Sequence, residues 1–125
     1  MTRPETKRAL VVDDEDSVRL VLCQAIASYG FDVTDAENGR VALDLFEQAD
    51  GGFDLLLTDI DMPEMNGCDL VCEIRKRGHR LPIVVVTGFA RQEVVDRILA
   101  FDVSLFEKPI DFRALYSHID LATRS

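Results

Sequence analysis

Cysteine is sparse here: Cys23, Cys68 and Cys72 are odd in number and form no C-x-x-C, so the sequence writes neither a disulfide framework nor a thiolate metal site. They read as small helix residues of a chain in a reducing compartment and are assigned no chemistry. Basic residues are also few. Fourteen Lys and Arg against 23 Asp and Glu leave a formal net charge of -9, which argues against direct nucleic-acid contact, because that contact depends on neutralising phosphates. Long apolar runs are missing as well. The first one stops at Asp13, too short for a signal peptide or a membrane span, so a cytoplasmic protein without membrane insertion is expected. Internal repeats, linkers and low-complexity stretches are absent. What remains is an ordinary globule, 47% hydrophobic and 30% charged over 125 residues. One domain over residues 1–125 is expected, with an ordered core at about 8–122, large enough to bury a core without staples.

Short apolar runs alternate with helix-like stretches, and four runs end in a polar residue. Leu10-Val11-Val12 ends in Asp13-Asp14, Leu55-Leu56-Leu57-Thr58 in Asp59, Ile83-Val84-Val85-Val86 in Thr87, and Leu105-Phe106-Glu107 in Lys108. A fifth run, Phe31 to Ala36, alternates apolar with polar and reads as a strand at a sheet edge. Between them, helical stripes are predicted at Val18, Val21, Leu22, Ala25, Ile26 and Tyr29, then at Val41, Ala42, Leu45 and Phe46, and at Leu70, Val71 and Ile74. Two more follow at Val94, Val95, Ile98 and Leu99, and at Phe112, Leu115, Tyr116 and Ile119. Asn38 and Asp111 are predicted caps. The class is α/β: a five-stranded parallel sheet in the order 2-1-3-4-5, doubly wound with five helices, flavodoxin-like.

Parallel sheets gather ligands at the carboxyl ends of their strands, so Asp13, Asp14, Asp59, Thr87 and Lys108 converge on one edge. Three adjacent carboxylates repel unless a hard cation sits among them, and Mg²⁺ suits oxygen ligands plus a phosphoryl group. With Lys108 and the Thr87 hydroxyl holding that group, Asp59 is placed to attack phosphorus as a carboxylate nucleophile and form an aspartyl phosphate. Lys108-Pro109 allows a cis bond that aims the ammonium inward. Each residue alone has an ordinary reading: carboxylates at a helix start, a turn aspartate, a β-forming threonine, a solvated lysine. Their joint placement carries the inference.

The sequence resembles the receiver domain of two-component response regulators, chemotaxis-regulator-like, from Arg8 to about Ala122. The motifs are Val11-Val12-Asp13-Asp14-Glu15, Asp54 through Gly67 around Asp59, Val86-Thr87-Gly88 and Glu107-Lys108-Pro109. The resemblance implies that Asp59 accepts a phosphoryl group from a phosphohistidine on a histidine kinase or phosphotransfer protein. It implies Mg²⁺ held by Asp13, Asp14, Asp59 and the backbone carbonyl of Asp61, with Thr87 and Lys108 on phosphoryl oxygens. Such a domain is not an enzyme beyond its own phosphorylation and dephosphorylation. It controls an output domain or target protein, and a phosphorylation-dependent dimer is compatible with it. In the family Thr87 works with an aromatic residue at the position of Leu105; here Phe106 or a leucine rotamer change would have to substitute. Asp61 and Phe89 occupy the positions that tune dephosphorylation, and an altered phosphoryl lifetime is expected.

Other readings fit less well. Asp59-Ile60-Asp61 has the D-x-D spacing of a haloacid-dehalogenase-like phosphatase, but Pro63 stands where that motif needs Thr or Val. A flavodoxin-like cofactor site would need a phosphate-cradling loop in place of the acidic residues after strand one, and a calcium loop counted from Asp59 puts Glu64 where glycine belongs. A receiver-fold interaction module that signals without phosphorylation is the remaining alternative, favoured by Leu105 and opposed by the complete site. His79 and His118 lie outside every motif and are expected at the surface.

Overall fold

The computed structural model describes residues 6–50, 52–60, 62, 65–88 and 91–123, and Asp61, Pro63, Glu64 and Phe89 lie outside that set. Ten elements alternate: β1 (Arg8–Val12), α1 (Asp16–Ser28), β2 (Asp32–Ala36), α2 (Gly39–Gln48), β3 (Leu55–Asp59), α3 (Gly67–Lys76), β4 (Ile83–Thr87), α4 (Gln92–Leu99), β5 (Ser104–Glu107) and α5 (Phe112–Thr123). The strands form one parallel sheet in the order β2-β1-β3-β4-β5, as the alternation predicts.

Strands β3 and β4 are buried at every residue, as apolar strands covered on both faces should be. The pleat sends alternate side chains into two separate cores. Leu10, Leu56 and Val85 meet Phe46, Leu70, Ile74 and Ile98 on one face. Ala9, Val11, Leu57 and Val86 meet Leu22, Ile26, Leu115 and Ile119 on the other. Edge strand β2 is exposed at Asp32 and Asp35, which matches its polar alternation.

The predicted caps form. Asn38 Oδ1 accepts from Val41 N at 2.9 Å, and Asp111 Oδ1 from Arg113 N at 3.0 Å. Asn66 does the same for Asp69 N at 2.9 Å. Each satisfies an amide that the first helical turn leaves without a partner.

The helical stripes are narrower than the apolar pattern suggests. In α1 only Leu22 and Ile26 are buried, Val18, Cys23 and Tyr29 pack partly against the same core, and Val21 is 51% exposed. In α2 Leu43 is buried while Val41 and Leu45 are half-covered, and in α4 only Ile98 is fully enclosed while Leu99 is 47% exposed. The histidines also depart from the surface expectation. His79 is half-buried edge-on to Phe46, and His118 is half-buried edge-on to Phe106.

Candidate functional site

Every strand-terminal residue picked out from the sequence arrives at the same edge. Asp59 is the last residue of β3 and Thr87 the last of β4; both are buried, at 6% and 1% exposure. Asp13 follows β1 and is fully buried, whereas the neighbouring Asp14 is exposed. Lys108 follows β5, where its backbone N donates to Thr87 O at 2.8 Å and so fixes the lysine beside the threonine strand. The Lys108-Pro109 peptide is cis.

Oxygens of Asp13, Asp14 and Asp59 lie within 4.8 Å of one another. Asp59 Oδ1 accepts from Ile60 N at 2.8 Å, which leaves Oδ2 facing Lys108 Nζ at 3.6 Å. Asp13 Oδ1 accepts from Glu15 N at 2.9 Å. Asp13 Oδ2 is buried and makes no hydrogen bond among the described residues; Lys108 Nζ stands 3.5 Å away, at ion-pair distance. A buried carboxylate oxygen in this state calls for a cation. The donor set is entirely carboxylate oxygen, which fits a hard divalent ion rather than a soft one. Asp61, expected to add its backbone carbonyl, lies outside the described residues, as does Phe89.

Burial works against the Lys108 ammonium, but the charges of Asp59 and then Asp13 outweigh it and raise its pKa above the usual 10.5. The folded state therefore holds this proton more tightly than the unfolded chain does. The stability gained is complete below 10.5 and fades as pH rises through the folded value. Melting temperatures of wild type and Lys108→Met should thus differ by a constant amount through neutral pH and converge in alkali. A gap unchanged up to alkaline unfolding would contradict this.

Parallel pairing sets Thr87 opposite Glu107 and Val85 opposite Leu105, so Thr87 and Leu105 share one face of the sheet. Leu105 packs with the Val85 and Ile98 core. Phe106 does not stand in for an aromatic residue at position 105. It points to the opposite face, among Val86, Leu115 and Ile119, with His118 against its ring.

Arg19 belongs to this neighbourhood and was not evident from the motifs. It lies six residues after Asp13, on the first turns of α1, and its Nη1 donates to the Asp13 carbonyl at 2.8 Å. A basic residue there, next to an acidic loop, was the only signal available in the sequence.

A doubly wound sheet with this acidic edge, a threonine and a lysine at successive strand ends defines the receiver class. The family model for the response regulator receiver domain matches residues 9–120. The response regulator receiver protein CpdR of Brucella abortus is 34% identical over 115 residues, covering 91% of this chain and 94% of CpdR. The regulatory protein AtoC of Escherichia coli is 43% identical over 111 residues, which are 86% of this chain but 23% of AtoC. The solved CheY-like receiver domain protein of Methanospirillum hungatei superposes with a TM-score of 0.86 at 28% identity, over 94% of this chain and 93% of that one. The chain belongs to the response regulator receiver domain family. No helix among the described residues is long and apolar enough to cross a membrane.

Proposed function

We propose that this receiver domain is phosphorylated on Asp59 in a Mg²⁺-dependent reaction, by a phosphohistidine of a histidine kinase or phosphotransfer protein in the cytoplasm. The observation that carries the reading is the buried Asp59 carboxylate, with Oδ2 facing Lys108 at 3.6 Å and the oxygens of Asp13 and Asp14 within 4.8 Å. Asp13, Asp14 and Asp59 would hold the ion, joined by the backbone carbonyl of Asp61. When bound it would supply the charge neutralisation that lets an anionic donor approach an acidic edge.

The chain's own residues do the rest. A carboxylate oxygen of Asp59 attacks phosphorus, the new O–P bond forms as the P–N bond of the donor breaks, and the electron pair leaves on the imidazole. Lys108 balances charge gathering on one phosphoryl oxygen, and the Thr87 hydroxyl donates to another. Nothing in this scheme turns over an outside substrate, so phosphate esters should not be hydrolysed. The output is a separate domain or target protein, and a phosphorylation-dependent dimer is one form that output can take.

The test is direct. With Mg²⁺ and a small phosphodonor, intact-mass analysis should show one added phosphoryl group on wild type and none on Asp59→Asn. Labelling that persists in Asp59→Asn, or fails in wild type with an active donor, would overturn the reading. The same variant should be more stable than wild type without metal, by on the order of 1 kcal/mol, since it removes one of three clustered negative charges. Saturating Mg²⁺ should shrink that advantage. Equal melting temperatures in chelator would show that the repulsion is already relieved.

A further inference from the structure

We propose that Arg19 is a positioning residue that clamps the acidic loop in the shape Mg²⁺ needs, an inference resting on the phosphoacceptor reading above. The Arg19 side chain is only 17% exposed, and its guanidinium is divided among three partners. Nη1 donates to the Asp13 carbonyl at 2.8 Å, Nε to Asp35 Oδ2 at 2.9 Å and Nη2 to Asp16 Oδ1 at 2.7 Å. Asp13 N in turn donates to Ala36 O at 3.2 Å. Both backbone polar groups of Asp13 are thereby tied to the end of β2, one directly and one through Arg19 and Asp35.

The loop needs such a tie. It holds the Asp13 and Asp14 carboxylates close to Asp59, an arrangement that their like charges oppose. The Asp13 side chain is held at Oδ1 by Glu15 N, whereas Oδ2 makes no hydrogen bond among the described residues and has only the Lys108 ammonium at 3.5 Å, so the backbone ties carry much of the positioning. The planar guanidinium fork suits the task, since it presents several donors in fixed directions, and a lysine ammonium could not reach the carbonyl and both carboxylates in one plane. Groups that orient ligands in this way contribute to metal affinity without touching the metal.

The sign of the effect separates this role from simple electrostatics. Arg19 is a cation near a cation site, so if its charge alone mattered, removing it would tighten Mg²⁺ binding. A clamp predicts the reverse. In calorimetric titration of the full chain with MgCl₂, Arg19→Ala should bind about tenfold more weakly than wild type. Arg19→Lys, which keeps the charge, should recover only part of that loss. Arg77→Ala, which cuts surface ion pairs to Glu47 and Glu73 on α2 and α3, should leave Mg²⁺ affinity unchanged. Asp35→Asn, which loosens the far end of the same tie, should add little to the loss in Arg19→Ala.

Unchanged or tighter Mg²⁺ binding in Arg19→Ala, or wild-type affinity in Arg19→Lys should Arg19→Ala not fold, overturns the clamp and leaves the phosphoacceptor reading standing. A wild type that binds no Mg²⁺ at millimolar concentration overturns that reading and the clamp with it.

Discussion

Replacing Gly67 with alanine is expected to lower the melting temperature by more than about 10 °C, through a loss on the order of 3 kcal/mol. Gly67 opens α3, and its N donates to Ile60 O at 2.9 Å, holding the helix start onto the end of β3. A Cβ built there would stand 2.3 Å from Asp59 O and 2.9 Å from Ile60 Cα. Both obstacles are backbone, so no side-chain rotamer can relieve the contact. Either α3 moves away from the sheet or the end of β3 shifts, and the second displaces Asp59 itself. Phosphoryl labelling should therefore fall even at temperatures where the variant remains folded. Gly78→Ala is the natural comparison. Its position has open space but φ of +85°, so it should cost only about 1 kcal/mol and leave labelling intact. Scanning calorimetry and low-temperature intact-mass labelling of the two variants would check this. A Gly67→Ala protein that melts and labels like Gly78→Ala would show that the helix start yields freely.

Lys108→Ala should slow phosphorylation from a small donor on the order of a hundredfold, the usual scale for losing one preorganised charge at a reacting oxyanion. Its effect on metal binding should have the opposite sign. Nζ lies 3.5 Å from Asp13 Oδ2 and 3.6 Å from Asp59 Oδ2, so removing it leaves more negative charge for Mg²⁺ to neutralise. Slower labelling combined with tighter Mg²⁺ binding is the expected signature. Extra Mg²⁺ should not restore the rate, because the ion and the ammonium serve different oxygens. If rate and affinity fell together, Lys108 would be acting through the shape of the site instead. The contrast with Arg19 is direct: two cations beside one acidic cluster, whose removal should move Mg²⁺ affinity in opposite directions.

Much of this was legible in the order of residues. Apolar runs bounded by polar residues located all five strands, and the site followed because parallel strands deliver their last residues to one edge. Strand beginnings were less legible. Phe53 is apolar as well, yet β3 does not include it: Asp54 turns its carboxylate to Arg8 N at 2.8 Å, and pairing with β1 begins only at Leu55. Leu81 is also apolar but lies before β4, since Pro82 has no N–H for the ladder and contributes only its carbonyl, to Leu56 N. Val21 illustrates a different limit. Helical spacing marks a face but not how wide a part of it the sheet covers, and in α1 that width ends short of Val21. Arg19 was illegible because its role depends on which backbone carbonyl the first turns of α1 bring within reach, a matter of three-dimensional placement that spacing alone does not carry.

The pleat of β5 sends Leu105 and Phe106 to opposite faces of the sheet, and only Leu105 shares a face with Thr87. The domain is in this sense partitioned like a two-channel cable. On the Thr87 side Leu105 packs into the core that holds Ile98, the sole fully enclosed residue of α4, while Phe106 and His118 lie on the other side, against α5. Substitutions around Phe106 are expected to act on stability alone, and those around Leu105 to act also on the packing between Thr87 and α4.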